Sequence, residues 1–466
     1  MNTIWIPVLP DDVSPKYLAL SRALRDAVRA GELAQGTQLP TVRELAYRLA
    51  VTPGTVSRAY QIATQEGLLE ATVGRGTFVA SSNPRLGPKQ QLFVERDPGV
   101  AQGRVDMRSP HVPEVGQLQI FADILRNVAG RVDADWLDYT QQAGEAPLRA
   151  AVLDWLAVRQ LGPVSVDDIM LTYGGQNGVG LVFACCLRGD RPVILIEDLA
   201  YPGFRYAARA ARAEVVGIEM DEEGLRPDAL EAACRKYGPQ ILCLTPESQN
   251  PTAAHMGAVR RAEIVAIARK YDLQIIEDEC YSLLCSDQPA LRALAPERVW
   301  HMGSFSKSIS AALRFGYVVC PEGMGDAGRL TAQHSFFALS RPMSELVLDL
   351  LVSGAADEIR RKVTEEFSSR MQMMGHRLAA FDISWQAGVP FAWLRLPTGW
   401  RASTFTRMAE EQGVLVRSAD MYALNNGRAP NAVRLAMVGN IPRQQLEAGI
   451  AALGYLLPRP PTDMAV

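Results

Sequence analysis

Six short apolar runs recur between residues 193 and 319: Val193 to Ile196, Val215 to Ile218, Ile241 to Leu244, Leu273 to Ile276, Val299 to Met302 and Tyr317 to Val319. None shows the alternation of a strand with one wet face, and the segments between them have amphipathic helical spacing. Strands that are apolar on both faces must be covered on both, and the intervening helices supply that cover. The pattern therefore implies an α/β fold on a mostly parallel sheet. Ligands of such sheets bind beyond the carboxyl ends of the strands, so the residues that follow each run are the ones to read for chemistry.

One of them is Lys307, in Gly303-Ser304-Phe305-Ser306-Lys307, between two of the runs. A lysine in a dry loop, with a second cation such as Arg314 nearby, has its amine pushed toward the neutral, nucleophilic form that a Schiff base requires. Thr172-Tyr173-Gly174-Gly175-Gln176-Asn177-Gly178 precedes a helix read over Val179 to Leu187, whose free N–H groups suit a phosphate. Tyr201 offers a ring face to a flat heterocycle, Asn250 follows the Ile241 run, and Asp278, just past the Leu273 run, would keep a heterocyclic nitrogen protonated. Tyr281 lies three residues on. Taken singly, these are a solvated lysine, an ordinary turn, a packing tyrosine and a helix cap. Together and in this order they are the parts pyridoxal phosphate needs.

From about Val105 onward the chain resembles the fold-type I, class I and II aminotransferases. The resemblance implies that Lys307 forms the aldimine with pyridoxal 5'-phosphate and that Asp278 pairs the pyridine nitrogen. It implies that Asn250 and Tyr281 bond the phenolate oxygen, Tyr201 stacks on the ring, and Gly175, Gln176, Ser304, Ser306 and Arg314 hold the phosphate. Tyr139 would reach the phosphate of a neighbouring subunit. Arg434, in Val433-Arg434-Leu435-Ala436, would grip a ligand carboxylate bidentately. Two positions depart from the family pattern. Ala253 stands where glycine often follows Asn-Pro-Thr, and Arg108-Ser109-Pro110-His111-Val112-Pro113 stands where a Gly-x-Pro loop is common.

The first eighty residues follow another logic. Tyr17, Leu20, Leu24 and Val28 mark a helix from Ser14 to Gly31, a loop runs through Gly36 and Pro40, and Thr41 with Glu44 forms a capping box for a helix over Val42 to Leu49. Thr52 and Pro53 open a third helix. Two short helices across a tight turn are the helix-turn-helix pattern. Gly67 to Glu70 and Thr77 to Ala80 read as a hairpin with Arg75 at its glycine-rich tip. The module resembles the winged helix-turn-helix of the GntR family through Leu39-Pro40-Thr41-Val42-Arg43-Glu44-Leu45-Ala46, Thr55-Val56-Ser57-Arg58-Ala59-Tyr60 and Gly74-Arg75-Gly76-Thr77-Phe78-Val79. Thr52-Pro53-Gly54 replaces the usual Ser-Arg pair of the turn. Basic and acidic residues nearly balance here, so placement and not net charge points to DNA: Arg43 on the second helix, Thr55, Ser57 and Arg58 on the third, Arg75 on the wing.

This assigns residues 11–80 to a DNA-binding domain, 81–104, rich in proline and glycine, to a linker, and 105–466 to the aminotransferase-like body. Across its whole length the chain resembles the MocR subfamily of GntR-type transcriptional regulators. That resemblance implies a homodimer, head-to-tail, that binds double-stranded operator DNA and senses a small amine, amino acid or vitamer through the aldimine. A working aminotransferase carrying a DNA-binding module is the alternative. The seven cysteines form no Cys-x-x-Cys pair, so neither metal nor disulfide is expected. No apolar run is long enough to span a bilayer and the start lacks a signal peptide, which places the protein in the cytoplasm.

Overall fold

The hairpin of the N-terminal unit, Leu69–Thr72 paired antiparallel with Gly76–Val79, gains a third extended segment. Gln38 bridges Phe78, Leu39 N–H bonds Thr77 O at 2.8 Å, and Val79 N–H bonds Thr37 O at 2.8 Å. Residues expected to be a loop are thus the edge of a small sheet. The computed structural model describes residues 5–9, 15–66, 68–72, 76–80, 103–140, 142–282, 286–424 and 429–461. They fall into two compact units, Met1–Gln91 and Leu92–Val466. Arg75 and nearly all of the 81–104 linker lie outside the described residues.

Three helices carry the first unit: Lys16–Arg29, Val42–Arg48 and Pro53–Gln65. Leu20, Leu24, Leu45, Val56, Ala59, Ala63, Leu69 and Val79 are buried together, so the periodicity that marked the helices also built their core. Half of the expected capping box is present. Thr41 Oγ1 accepts from Glu44 N–H at 3.2 Å, while the Glu44 carboxylate turns outward to Arg48 at 2.8 Å. Tyr60 OH ties the third helix to Pro40 O at 2.9 Å, which fixes the angle between the two helices of the motif.

The larger unit holds a seven-stranded sheet in the order Ile169–Thr172, Gly316–Val319, Val299–Ser304, Gln274–Asp278, Ile241–Leu244, Val193–Glu197, Glu214–Ile218. Gly316–Val319 runs antiparallel to both its neighbours, and the remaining pairs are parallel. Its reversal has a structural effect: Gly316 is in register with Ser304 and Thr172. The start of this strand therefore lies beside the ends of the others, and everything needed at the carboxyl edge can be reached from it. A second, antiparallel sheet follows, ordered Ile383–Trp385, Phe391–Arg395, Ala432–Ala436, Arg417–Ser418.

The glycine-rich run 174–178 is not a turn ahead of a helix. The helix spans Gly175–Cys186, four residues earlier than its apolar pattern suggests. Glycine is a poor helix former, so packing imposes the conformation. A Cβ on Gly175 would stand 2.8 Å from Cys280 Sγ, and one on Gly178 would stand 3.1 Å from Met302. Only glycine lets this helix start so close to the sheet.

Candidate cofactor and ligand site

A cavity of about 410 Å³ opens at the carboxyl edge of the large sheet. Gly175, Gln176, Tyr201, Asp278, Tyr281, Ser304, Ser306, Lys307, Arg314 and Arg434 all line it. Asn250 borders it through Arg434, whose Nη1 donates to Asn250 Oδ1 at 2.8 Å. Residues far apart in the chain thus converge because each follows a strand of one sheet or belongs to the smaller sheet beside it.

Lys307 sits in the turn after Val299–Ser304, its Nζ donating to Pro110 O at 3.3 Å and standing 5.9 Å from the Tyr281 ring centre. Burial, with Arg434, Arg314 and Arg417 as like charges nearby, brings its amine down to about 8. At pH 7 about one such amine in ten is neutral, several hundred times the fraction of a solvated lysine. The rate of pyridoxal phosphate capture, followed by visible absorbance, is therefore expected to rise about tenfold per pH unit up to pH 8 and then level off. A rate still climbing at pH 10 would show an ordinary lysine.

Asp278 ends its strand and is 8% exposed. Burial raises its carboxyl, while the Cys280 N–H, 2.9 Å from Oδ1, opposes the rise. Tyr281, pushed up to about 12 by burial, meets Phe391 edge-on at 5.1 Å and stays a neutral phenol at physiological pH. Tyr201 caps the Pro202–Ala210 helix. Gln176 reaches across to Gly203 O at 3.0 Å, and a Cβ on Gly203 would run into Gln176 and the Tyr201 ring. Ser304 Oγ bonds Phe315 O at 3.1 Å and Ser306 Oγ at 3.0 Å. Arg314 takes a left-handed backbone, φ 47°, and bonds Tyr173 O at 3.1 Å.

Arg434 Nη2 bonds Arg108 O at 2.9 Å, and its guanidinium lies 5.0 Å from the Tyr422 ring and 5.3 Å from that of Phe391. Pro110 O and Arg108 O belong to the segment that departs from the family's Gly-x-Pro loop, so Lys307 and Arg434 both lean on that segment's carbonyls. The other departure is a strained turn: Ala253 has φ 58° and is buried, a conformation glycine adopts without cost.

The residues fit a phosphorylated heterocyclic aldehyde. Asn250 Nδ2 and Arg434 Nε are buried donors without a hydrogen-bond partner, which is costly unless a ligand supplies an acceptor. Asp278 is a buried acid placed for a cationic ring nitrogen. Gly175, Gln176, Ser304, Ser306 and Arg314 form a polar cup at a helix N-terminus. Behind the site, Glu277, Glu279 and His301 bring three ligand-type atoms within 4.8 Å of one another. They are tied into protein contacts, His301 to Glu277 at 3.1 Å and Arg159 to Glu279 at 2.6 Å.

Tyr139 is not brought to the cavity. It is 78% exposed and stacks on Phe337 at 5.0 Å. Cys280, Tyr422 and Arg417 do line the cavity and were not singled out in the sequence. Arg417, between Val416 and Ser418 on a two-residue strand, carried no motif. Its only signal was a charge inside an apolar run. On the reader, Arg43 and Ser57 are exposed, whereas Arg58 is half-buried with its guanidinium 4.3 Å from the Tyr17 ring. Thr55 Oγ1 lies 2.9 Å from Thr52 Oγ1 in the helix cap.

Residues 124–453 match the family model of aminotransferase class I and II, and residues 16–79 match that of bacterial regulatory proteins of the gntR family. The chain is 30% identical over 462 residues to the uncharacterized HTH-type transcriptional regulator YdeF of Bacillus subtilis, covering 97% of this chain and 96% of that one. It is 31% identical over 307 residues, 65% of each chain, to the HTH-type pyridoxine biosynthesis transcriptional regulator PdxR of Corynebacterium glutamicum. Among solved structures it is similar to the α-aminoadipate aminotransferase LysN of Thermus thermophilus, complexed with N-(5'-phosphopyridoxyl)-L-leucine. That match has a TM-score of 0.66 and 26% identity, covering 77% of this chain and 93% of that one. With a fold-type I body whose family cofactor is pyridoxal phosphate and a gntR-type reader ahead of it, the chain belongs to the aminotransferase class I and II family and, within the GntR-type transcriptional regulators, to the MocR subfamily.

Proposed function

We propose that this protein is a transcriptional regulator in which residues 11–80 bind operator DNA and residues 105–466 hold pyridoxal phosphate and sense a small amine, amino acid or vitamer. The observation that carries the reading is the convergence of Lys307, Asp278, Asn250 and Arg434 on one cavity in a chain that also carries an assembled reader. Pyridoxal phosphate, when bound, supplies an aldehyde that captures primary amines and a conjugated ring that draws electron density from the captured carbon.

The chain's own side chains do the rest. Ser304, Ser306, Gln176 and Arg314 would hold the phosphate, Asp278 would keep a proton on the ring nitrogen, and Tyr201 would cover the ring face. Asn250 and Tyr281 would hold the phenolate oxygen, and Lys307 Nζ would provide the amine for the aldehyde. Not bonded to the aldehyde, Lys307 would be a base able to hold a proton at Nζ. Arg434 would orient a ligand carboxylate. Each of these contacts is drier, and so stronger, once the cavity is filled.

The homodimer belongs to the same reading. Tyr139, exposed and not among the residues lining its own chain's cavity, would reach another subunit's phosphate, and a linker over 81–104 would give each reader the reach to sit near the partner's body. A protein that reads operator DNA works in the cytoplasm, and among the described residues no helix is long and apolar enough to cross a membrane. A ligand acts on DNA only through its differential affinity for two arrangements of the dimer.

The test is operator affinity of the full chain without cofactor, with pyridoxal phosphate, and with cofactor plus a panel of amines. A change of about 5- to 150-fold on adding cofactor or ligand is the expected coupling. Identical affinity in all three states would sink the sensing reading. The intact Lys307, Asp278 and Arg434 also favour a second reading, a working aminotransferase. Steady conversion of an amino donor and keto acceptor at about 10 per second would support that one.

A further inference from the structure

Arg417 and Arg434 stand directly opposite each other on adjacent antiparallel strands. Directly opposed residues share a face of the sheet, and both of these line the cavity that holds Lys307. Like charges in that relation destabilise a sheet, and the pair lies in a site that burial makes drier. Burial, with Arg434 and Arg108 nearby, lowers the Arg417 guanidinium to about 10, so it remains cationic at neutral pH. Tyr422, 2% exposed and 5.0 Å from the Arg434 guanidinium, packs against the pair's inner member.

The acid whose charge acts on Arg417 is Asp106, which is shared with Arg108. Asp106 is 3% exposed and accepts two hydrogen bonds from the Arg108 guanidinium, each 2.8 Å. Among the cavity's lining residues the acid is Asp278 and the cations are Lys307, Arg314, Arg417 and Arg434. The cofactor reading, on which this inference rests, uses Arg314 for the phosphate, Asp278 for the ring nitrogen and Lys307 for the carbonyl. The lining then presents two further guanidinium groups to whatever enters beside the cofactor. The α-carboxylate of an ordinary amino acid meets one of them, and a second anionic group on the same ligand matches the other.

The geometry points to a ligand with two anionic groups: a 2-amino acid whose α-carboxylate meets Arg434 and whose side chain ends in a carboxylate or phosphate ester held by Arg417. A planar guanidinium suits either group by the same fork of N–H donors. Arg417 is then the residue that separates acidic from neutral amino acids of the same shape, because a neutral side-chain amide brings no charge to meet the cation.

The test uses full-length protein loaded with pyridoxal phosphate and measures dissociation constants by calorimetry for two isosteric pairs, glutamate against glutamine and O-phosphoserine against serine. Wild-type protein is expected to prefer the acidic member of at least one pair by about tenfold or more. Arg417→Gln should bring that ratio to about one, and Arg417→Lys should keep only part of it, as the charge is retained and the fork of donors is lost. Preference confined to O-phosphoserine assigns the second group as phosphate, and preference for glutamate assigns it as carboxylate. Equal affinities within both pairs in wild-type protein, or a preference that survives Arg417→Gln, overturn the inference. Cofactor loading is read separately from visible absorbance. A wild-type protein that gains no visible band overturns the cofactor reading itself, whereas a band without discrimination overturns the ligand class alone.

Discussion

Replacing Lys307 by alanine abolishes covalent capture of pyridoxal phosphate. The variant, incubated with the cofactor and passed through a desalting column, should emerge without visible absorbance, and its cofactor affinity should fall by about 100-fold or more, some 2.7 kcal/mol. The magnitude follows from what the lysine provides. On the proposed reading it is the amine that would bond the carbonyl carbon, and its Nζ is held by Pro110 O. The phosphate cup and Asp278 remain, so weak non-covalent binding persists and the fold is kept. Removing a buried cation that Arg434, Arg314 and Arg417 all disfavour should not destabilise the ligand-free protein. Operator affinity closes the experiment: the variant should lose the response to cofactor that the wild type shows. A Lys307→Ala protein that keeps both the visible band and the DNA response would mean that another amine does the work.

Asp278→Asn should act in opposite directions on ligand-free and loaded protein. In the loaded protein a charged hydrogen bond to the ring nitrogen becomes a neutral one. Cofactor affinity should then drop by about 10- to 100-fold, in line with 1.5–3 kcal/mol for hydrogen bonds to charged groups. In the ligand-free protein the sign reverses. Burial holds the Asp278 carboxyl above its usual range. Its contribution to stability is fully present at pH values below the unfolded pKa, where the group is protonated in both states, and is lost as pH rises through the folded value. Wherever the folded protein holds that carboxyl ionised, it carries a buried charge that the amide does not. The melting temperature without cofactor should therefore rise in Asp278→Asn, and the stabilisation gained on adding cofactor should shrink. If both measurements moved down together, Asp278 would be a structural residue and not a cofactor partner.

How much of this could be read in the sequence depended on whether a residue's place was decided locally. The Ile241–Leu244 strand is found at its expected bounds because four consecutive apolar residues between polar ones leave little choice. The helices of the reader end within a residue or two of their cap and glycine signals. Lys307, Asp278 and Arg434 stood out because each ends or interrupts an apolar run. Gly175–Cys186 was misplaced at its start because its first turn is helical for a tertiary reason, the close approach to Cys280 and Met302. The smaller sheet went unread because Ile383–Trp385 and Arg417–Ser418 are too short to show a period. Arg417 gained meaning only once register put it opposite Arg434. Glu44 looked like a partner for the Thr41 backbone, but an exposed carboxylate one turn from Arg48 finds a charged partner instead.

Asn250 Oδ1 accepts from Arg434 Nη1 across 184 positions of sequence, so the residue assigned to the cofactor's ring and the residue assigned to the ligand's carboxylate share a hydrogen bond. A shift of either side chain would be felt by the other through that bond. Whatever factor the cofactor adds to ligand affinity, the ligand returns to the cofactor. If the protein senses its ligand as proposed, a regulator wired this way would behave as a coincidence gate: it would answer to the product of two concentrations in the cell, and starving it of either metabolite would silence its report of the other.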